Sequence, residues 1–289
     1  MDVKPPTTFD EQITLLQKRN CRIEDPAFCT QVLQQINYYH LSAYFLPFCL
    51  ADGTYRDGTS FQTVYRIYEF DRKIRNILFS AIEQVELYLR TQFAYFHAHR
   101  YGPLGYMDAA NYSERHNHER FQALFKNEVH RSKNALFVKH HCEKYDGNFP
   151  VWVAAELFSF GMLSYFYSDM LTADKKTIAR NLYGTTFKNL DSWLRCCTDL
   201  RNICAHYGRL YYRVFSAIPA TPTGLPIKLG RKLFDQIIML KLLYPDCDRW
   251  NSEIVVSISA LVEEYQEDIL LFHIGFPDNW HQLLAAYNK

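Results

Sequence analysis

Apolar residues recur at helical intervals through most of this chain. In the longest run, from Phe61 to about His99, Phe70, Ile74, Ile77, Ala81, Val85 and Tyr88 lie at intervals that keep them on one side of a helix. The pattern predicts one long amphipathic helix. Upstream, Asp25 and Pro26 read as an N-cap followed by proline at the first helical position, opening a helix toward Gln35. A shorter helix is expected through INYYHLSAYFLPF, stopping near Pro47, and the turn-rich ADGTYRDGTS at 51–60 then leads into the long run, with room for a small hairpin. Downstream, a basic stretch from about Glu119 to His140 predicts a helix. DGNFP at 146–150 breaks the chain, and VWVAAELFSFGMLSYFYSDM predicts an apolar helix carrying Glu156, a carboxylate that must face solvent or find a buried partner. A further helix begins near Phe187, PATPTGLP at 219–226 is a loop, and helices near 230–244, 252–271 and 278–287 complete the chain.

Strand signals are sparse, so the expected fold class is all-α. Residues 1–60 read as an N-terminal helical segment and 61–289 as a helical domain with C-terminal helices, or the two as one continuous domain. With 289 residues and 48% hydrophobic content the chain can bury a large core. Its 32 basic residues nearly balance 31 acidic ones, so any nucleic-acid partner must be met by a local basic patch. No apolar run reaches the roughly 18 residues of a membrane span, and the N-terminus lacks a leader pattern, which together predict a soluble, cytoplasmic protein without a membrane partner. The eight cysteines form no C-x-x-C pair and read as buried thiols. His140, His141 and Cys142 are adjacent, and neighbouring helical residues point about 100° apart, so neither a metal site nor a cofactor is expected.

The stretch LRNICAHYGRLYYR, 200–213, concentrates the candidate chemistry. Taken as helix from 191 to 213, it separates an apolar seam of Trp193, Cys197, Leu200, Cys204, Tyr207 and Tyr211 from a polar stripe of Arg195, Asp199, Asn202, His206, Arg209 and Arg213. Arg201 lies about 140° around the helix from His206. With 18 arginines and 11 histidines in the chain, roughly 0.7 R-x4-H pairs arise by chance, so the spacing alone leaves a catalytic pair and a solvated helix face both open. On the long helix, Glu83, Glu86 and Arg90 are spaced so that they can meet, as in a surface ion-pair ladder.

DLRNICAHYGRLYYR resembles the RN-x-x-AH-x-x-R-L signature of the Abi-like proteins, the AbiD/AbiF group of bacterial abortive-infection proteins in the HEPN superfamily. Further blocks agree in order: INYYHLSAYFLPF, IYEFDRKIRNILFSAIEQVELYLRTQFAY, YGPLGYMD, FPVWVAAELFSFGMLSYFY and, near the end, GFPDNW at 275–280. The resemblance implies a HEPN-type helical bundle and metal-independent RNA cleavage, with the ribose 2′-hydroxyl attacking phosphorus. In it His206 is the general acid/base and Arg201 the phosphate clamp, supported by Asn202, Arg209 and Arg213 and by Glu83, Glu86 and Arg90. It further implies a homodimer that builds a composite site, and a structured non-coding RNA as partner or substrate. Arg195, Arg115, Arg120, Lys126, Arg131, Lys133 and Lys139 are the candidate RNA contacts, with Tyr207, Tyr211 and Tyr212 read either as core or as stacking platforms for bases. One departure is Gly208, where some HEPN toxins carry tyrosine. The alternatives are a non-catalytic RNA-binding protein on the same fold and a phage-sensing protein-interaction scaffold.

Overall fold

The first helix, α1 (Phe9–Lys18), opens on a reciprocal cap. The Glu11 N–H donates to the Thr8 hydroxyl at 3.2 Å while the Glu11 carboxylate accepts the Thr8 N–H at 2.7 Å. In this computed structural model, residues 5–285 are described. Helix α2 (Pro26–Gln35) begins as expected, with the Asp25 carboxylate accepting the Phe28 N–H at 3.0 Å. The INYYHLSAYFLPF block divides into α3 (Tyr38–Ser42) and a 3-10 helix at Ala43–Phe48 that contains Pro47. An antiparallel bridge between Cys49 and Tyr55 closes the next turn.

Helix α4 (Phe61–Tyr101) runs 41 residues, about 60 Å at 1.5 Å per residue. Phe70, Ile74, Ala81 and Val85 are buried along it, joined by Leu78, Leu89 and Phe93. It stops at Gly102, whose φ of +79° is costly for any side chain and which Pro103 follows.

Two expected helices are each broken in two. The basic stretch forms α5 (His118–Arg131) and α6 (Leu136–Lys144), separated by a turn in which the Ala135 N–H reaches the Ser132 carbonyl at 2.8 Å. Ser132 and Asn134 favour such turns because their side chains compete for backbone groups. The apolar stretch forms α7 (Val151–Ala154), a 3-10 turn at Ala155–Leu157 and α8 (Phe160–Asp169), the last capped by Ser159 Oγ accepting the Met162 N–H. The carbonyls exposed at this break are taken up by Arg90, which donates to those of Ala155, Glu156 and Phe158 at 3.2, 2.7 and 2.7 Å. Glu156 is largely exposed.

Helix α9 (Thr172–Tyr183), for which the sequence pattern gave no expectation, ends at Gly184 in the left-handed region. It is followed by α10 (Phe187–Ala205) and α11 (Leu233–Leu243). A continuous helical stretch then runs from α12 (Cys247–Arg249) through a π turn at Trp250–Val255 into α13 (Val256–Glu264). It ends before the expected residue 271, and a 3-10 turn at Leu271–Ile274 precedes α14 (Trp280–Leu284). Of the helix expected over 278–287, positions 286 and 287 lie outside the described residues. The all-α expectation holds: among the described residues only isolated bridges represent strand pairing. Helix α10 packs against α4, α8, α9 and α11. One hydrophobic cluster runs from Ile13 to Leu284, and Leu16, Leu33 and Tyr44 join it from the segment before α4. None of the helices among the described residues is long and apolar enough to cross a membrane.

Candidate functional site at the end of helix α10

The helix that carries Arg201 stops earlier than its polar rhythm implies. Its last residue is Ala205, and His206 is the C-cap with φ −100° and ψ 21°. Tyr207 turns left-handed with φ +58°. The Gly208 N–H then reaches the Ile203 carbonyl at 2.8 Å and the Tyr207 N–H that of Cys204 at 3.3 Å, the paired bonds of a Schellman ending. A Cβ on residue 208 would lie 2.9 Å from Ile203 Cγ2 and 3.2 Å from the Ile203 carbonyl oxygen, so the close return of the chain requires glycine there. The expected helix through 213 is thus corrected: Arg209 and Arg213 do not continue the stripe of Arg195, Asp199, Asn202 and His206.

Asp71 and Arg75, on one face of α4, hold the loop beyond this turn. Asp71 is fully buried, and both its oxygens accept the Leu210 N–H at 3.1 Å, while Oδ1 also accepts the Tyr211 N–H at 2.5 Å. The Tyr44 hydroxyl donates to Oδ2 at 2.7 Å, and Arg75 is ion-paired to the same oxygen. Arg75 also reaches the Gly208 carbonyl at 3.4 Å. Burial pushes the Asp71 carboxyl above its ordinary range, against the pull of Arg75 and of the Tyr44, Leu210 and Tyr211 donors. Arg209 adds another fastening by donating to the Ala43 carbonyl at 2.8 Å, and burial lowers its pKa.

Against this anchored loop, Arg201 and His206 are free. His206 is exposed and Arg201 half-buried. Neither side chain has a hydrogen-bond or ion-pair partner among the described residues, and Arg201 Nε is buried without one. Five residues separate them by about 7.5 Å along the helix axis. The pair is not joined to itself within one chain. Asn202 is exposed beside them.

The face bearing His206 continues backward into a groove. Lys188, Asp191, Arg195 and Asp199 of α10 oppose Ser164 and Tyr165 of α8 across a cavity of about 390 Å³. Adjoining it, a space of about 630 Å³ takes in Arg115 and Lys175, and one of about 170 Å³ takes in Arg115, Arg120 and Tyr165. Arg115 and Arg120 therefore border a space next to the groove that Arg195 lines, with Tyr165 shared between the two. Lys175 is occupied by Asp191 at 3.2 Å, whereas Lys188, Arg195, Arg115 and Arg120 have no ion pair among the described residues. Lys126, Arg131, Lys133 and Lys139 are exposed but line none of these spaces, and Arg131 is paired with Glu128.

The remaining candidates disperse. Glu86 pairs with Arg90, and both serve the break before α8; Glu83 is exposed with no partner among the described residues. Tyr211 is core: its hydroxyl lies 3.0 Å from His273 Nδ1 and accepts the Leu270 N–H. Tyr207 is exposed, and Tyr212 is half-exposed against His273. His116 meets His118 and Asp169, but among the described residues no three His, Cys, Asp or Glu side chains converge as a ligand set.

The profile of the Abi-like protein family matches residues 31–212. The chain belongs to the Abi-like family. No curated protein and no solved structure matches it. The Abi-like span runs from within α2 through Tyr212 and so includes Asp71, Arg75, Arg201 and His206, while GFPDNW lies beyond it. Asp71, Arg75 and Tyr44 were missed as site residues. A signal existed, since Asp71 stands four residues after Ile67 and three before Ile74, on the apolar stripe where an unpaired carboxylate would be costly.

Proposed function

We propose that this Abi-like protein is a metal-independent endoribonuclease of an abortive-infection system, with His206 and Arg201 as its reacting pair. The observation that carries the reading is the contrast between an anchored loop and two unpartnered side chains. Asp71 and Arg75 fix the backbone after His206, leaving the imidazole exposed at the helix end and the Arg201 guanidinium without a partner among the described residues.

The chemistry suits these groups. His206 takes the proton of a ribose 2′-hydroxyl as the O2′–P bond forms and returns a proton to the 5′-oxygen as the P–O5′ bond breaks. The products are a 2′,3′-cyclic phosphate and a 5′-hydroxyl. Arg201 presents its fork of donors to the phosphorane oxygens, and Asn202 orients the imidazole or phosphate. Because Arg201 and His206 face apart, two chains related by a two-fold axis supply one pair between them, which makes the active species a homodimer. The RNA strand follows the groove between α8 and α10, past Lys188 and Arg195 toward His206. A structured non-coding RNA bound there regulates the enzyme.

Incubating the purified protein with end-labelled RNA in EDTA tests the reading. Cleavage leaving 2′,3′-cyclic phosphate ends supports it. Cleavage that requires a divalent ion, or retention of intact RNA alone, contradicts it and favours respectively a metal nuclease or a binding protein.

A further inference from the structure

Beside the His206 face, α10 forms one wall of a second cavity. It is about 180 Å³, several times the ~30 Å³ of a water molecule, and lies between Asp199 and Ile203 of α10, the segment Arg213–Ala217, Arg231 and Gln236 of α11. Three charged groups converge there. Arg213, Arg231 and Asp199 form no ion pair among the described residues, although opposite charges so placed would ordinarily close on each other. Arg213 Nε is buried without a hydrogen-bond partner, and its Nη1 donates to the Arg209 carbonyl at 3.2 Å. Its Cζ sits 5.9 Å from the centre of the Phe215 ring. At the floor, Gln236 is 1% exposed and reaches only the Ala217 carbonyl, at 3.5 Å, the limit of a hydrogen bond.

We propose that this cavity binds a phosphorylated ribose, with the phosphate on Arg213 and Arg231 and a sugar hydroxyl on Asp199. Two guanidinium groups match a phosphate monoester, which carries close to two negative charges at neutral pH and accepts planar pairs of N–H donors. A carboxylate in the same space excludes a bare anion from half of it and calls for a donor, which a ribose hydroxyl supplies. Gln236, with both an amide donor and an acceptor, completes the floor. The volume holds the phosphate and sugar, and a base projects past exposed Arg231 into solvent. Asp199 also lines the groove along α8 and α10, so the ligand is either a free nucleoside monophosphate or the phosphorylated end of an RNA lying in that groove. The site does not depend on the cleavage reading, because neither Arg201 nor His206 lines it.

Calorimetric titration of the full chain with ribose 5-phosphate, inorganic phosphate and ribose tests the proposal. Ribose 5-phosphate should bind more tightly than either fragment. Arg231→Gln, at an exposed position, should weaken it about ten-fold or more, the cost of losing a charge-assisted contact. Asp199→Asn should erase the preference over inorganic phosphate, and His206→Ala should leave binding unchanged even where it abolishes cleavage. No binding of ribose 5-phosphate at millimolar concentration, or unchanged affinity in both Arg231→Gln and a folded Arg213→Gln, overturns the proposal. Tighter binding of an RNA hexamer with a 5′-phosphate than of its 5′-hydroxyl form assigns the RNA end as ligand. Equal binding of the two, with adenosine 5′-monophosphate displacing ribose 5-phosphate, assigns the free nucleotide.

Discussion

Both carboxylate oxygens of Asp71 accept the backbone N–H of Leu210 at 3.1 Å, although 139 residues separate the two in the chain. This contact makes the middle of α4 part of the site at the end of α10. Replacing Asp71 by alanine leaves Arg75 buried without its counter-charge and two backbone N–H groups without acceptors. The expected cost is about 3–5 kcal/mol of stability, with loss of the loop's position. Tyr44→Phe removes one donor to the same carboxylate and should cost only about 1 kcal/mol. Urea unfolding of both variants checks the order, and equal effects would deny Asp71 its central place.

Tyr207 occupies a left-handed position that glycine fills at no steric cost. Tyr207→Gly should leave stability unchanged or raise it by up to about 1 kcal/mol. Gly208→Ala should lower it by about 1–3 kcal/mol, since the new methyl meets Ile203. Thermal unfolding should therefore come earlier than in wild type for Gly208→Ala and no earlier for Tyr207→Gly. A fall in RNA cleavage in the more stable Tyr207→Gly protein would give the exposed ring a role on RNA.

These two features also mark where the sequence was legible and where it was not. The long helix could be read because Phe70, Ile74, Ala81 and Val85 bury one stripe, a signal contained in their own spacing. The end of α10 could not. A helix ending usually shows a glycine at the left-handed position, but here that position is Tyr207 and the glycine comes one later. The rhythm of Cys204, Tyr207 and Tyr211 runs on through the break, although Tyr211 is buried by way of the loop and Tyr207 is exposed. Asp71 carried only a local hint, and the backbone groups it holds, Leu210 and Tyr211, lie at the far end of the family match. Arg201 and His206 were legible as residues, whereas their lack of partners needed the fold.

The groove brings in Lys188, which the sequence did not single out, and separates Arg195 from Lys133 and Lys139, which the sequence grouped with it. Lys188→Gln and Arg195→Gln should each weaken RNA retention and reduce the salt dependence by about 0.7 in log–log slope per lost phosphate contact. Lys133→Gln and Lys139→Gln, away from the groove, should leave both unchanged. Filter binding across a salt series distinguishes them, and equal effects of all four substitutions would move the RNA off the α8 and α10 groove.

His97 offers a pH test of the fold alone. Its side chain is fully buried on α4 beside Tyr101 and Phe166, and neither ring nitrogen has a partner among the described residues. Burial lowers its pKa from 6.5 to about 4, against a weaker upward pull from Asp174. A folded pKa below the unfolded one means that the stabilisation is complete above about pH 6.5 and is lost as pH falls toward 4. The loss amounts to roughly 3 kcal/mol at most. Urea midpoints should fall over this window more steeply in wild type than in His97→Leu, and parallel declines would show that His97 does not charge on unfolding.

Cleavage of one RNA by wild type, Arg201→Ala and His206→Ala, each shown to be folded, tests the central claim most directly. Each substitution should lower the rate about 100-fold or more while stability stays near that of wild type. Unaltered cleavage by the His206→Ala protein would contradict the account.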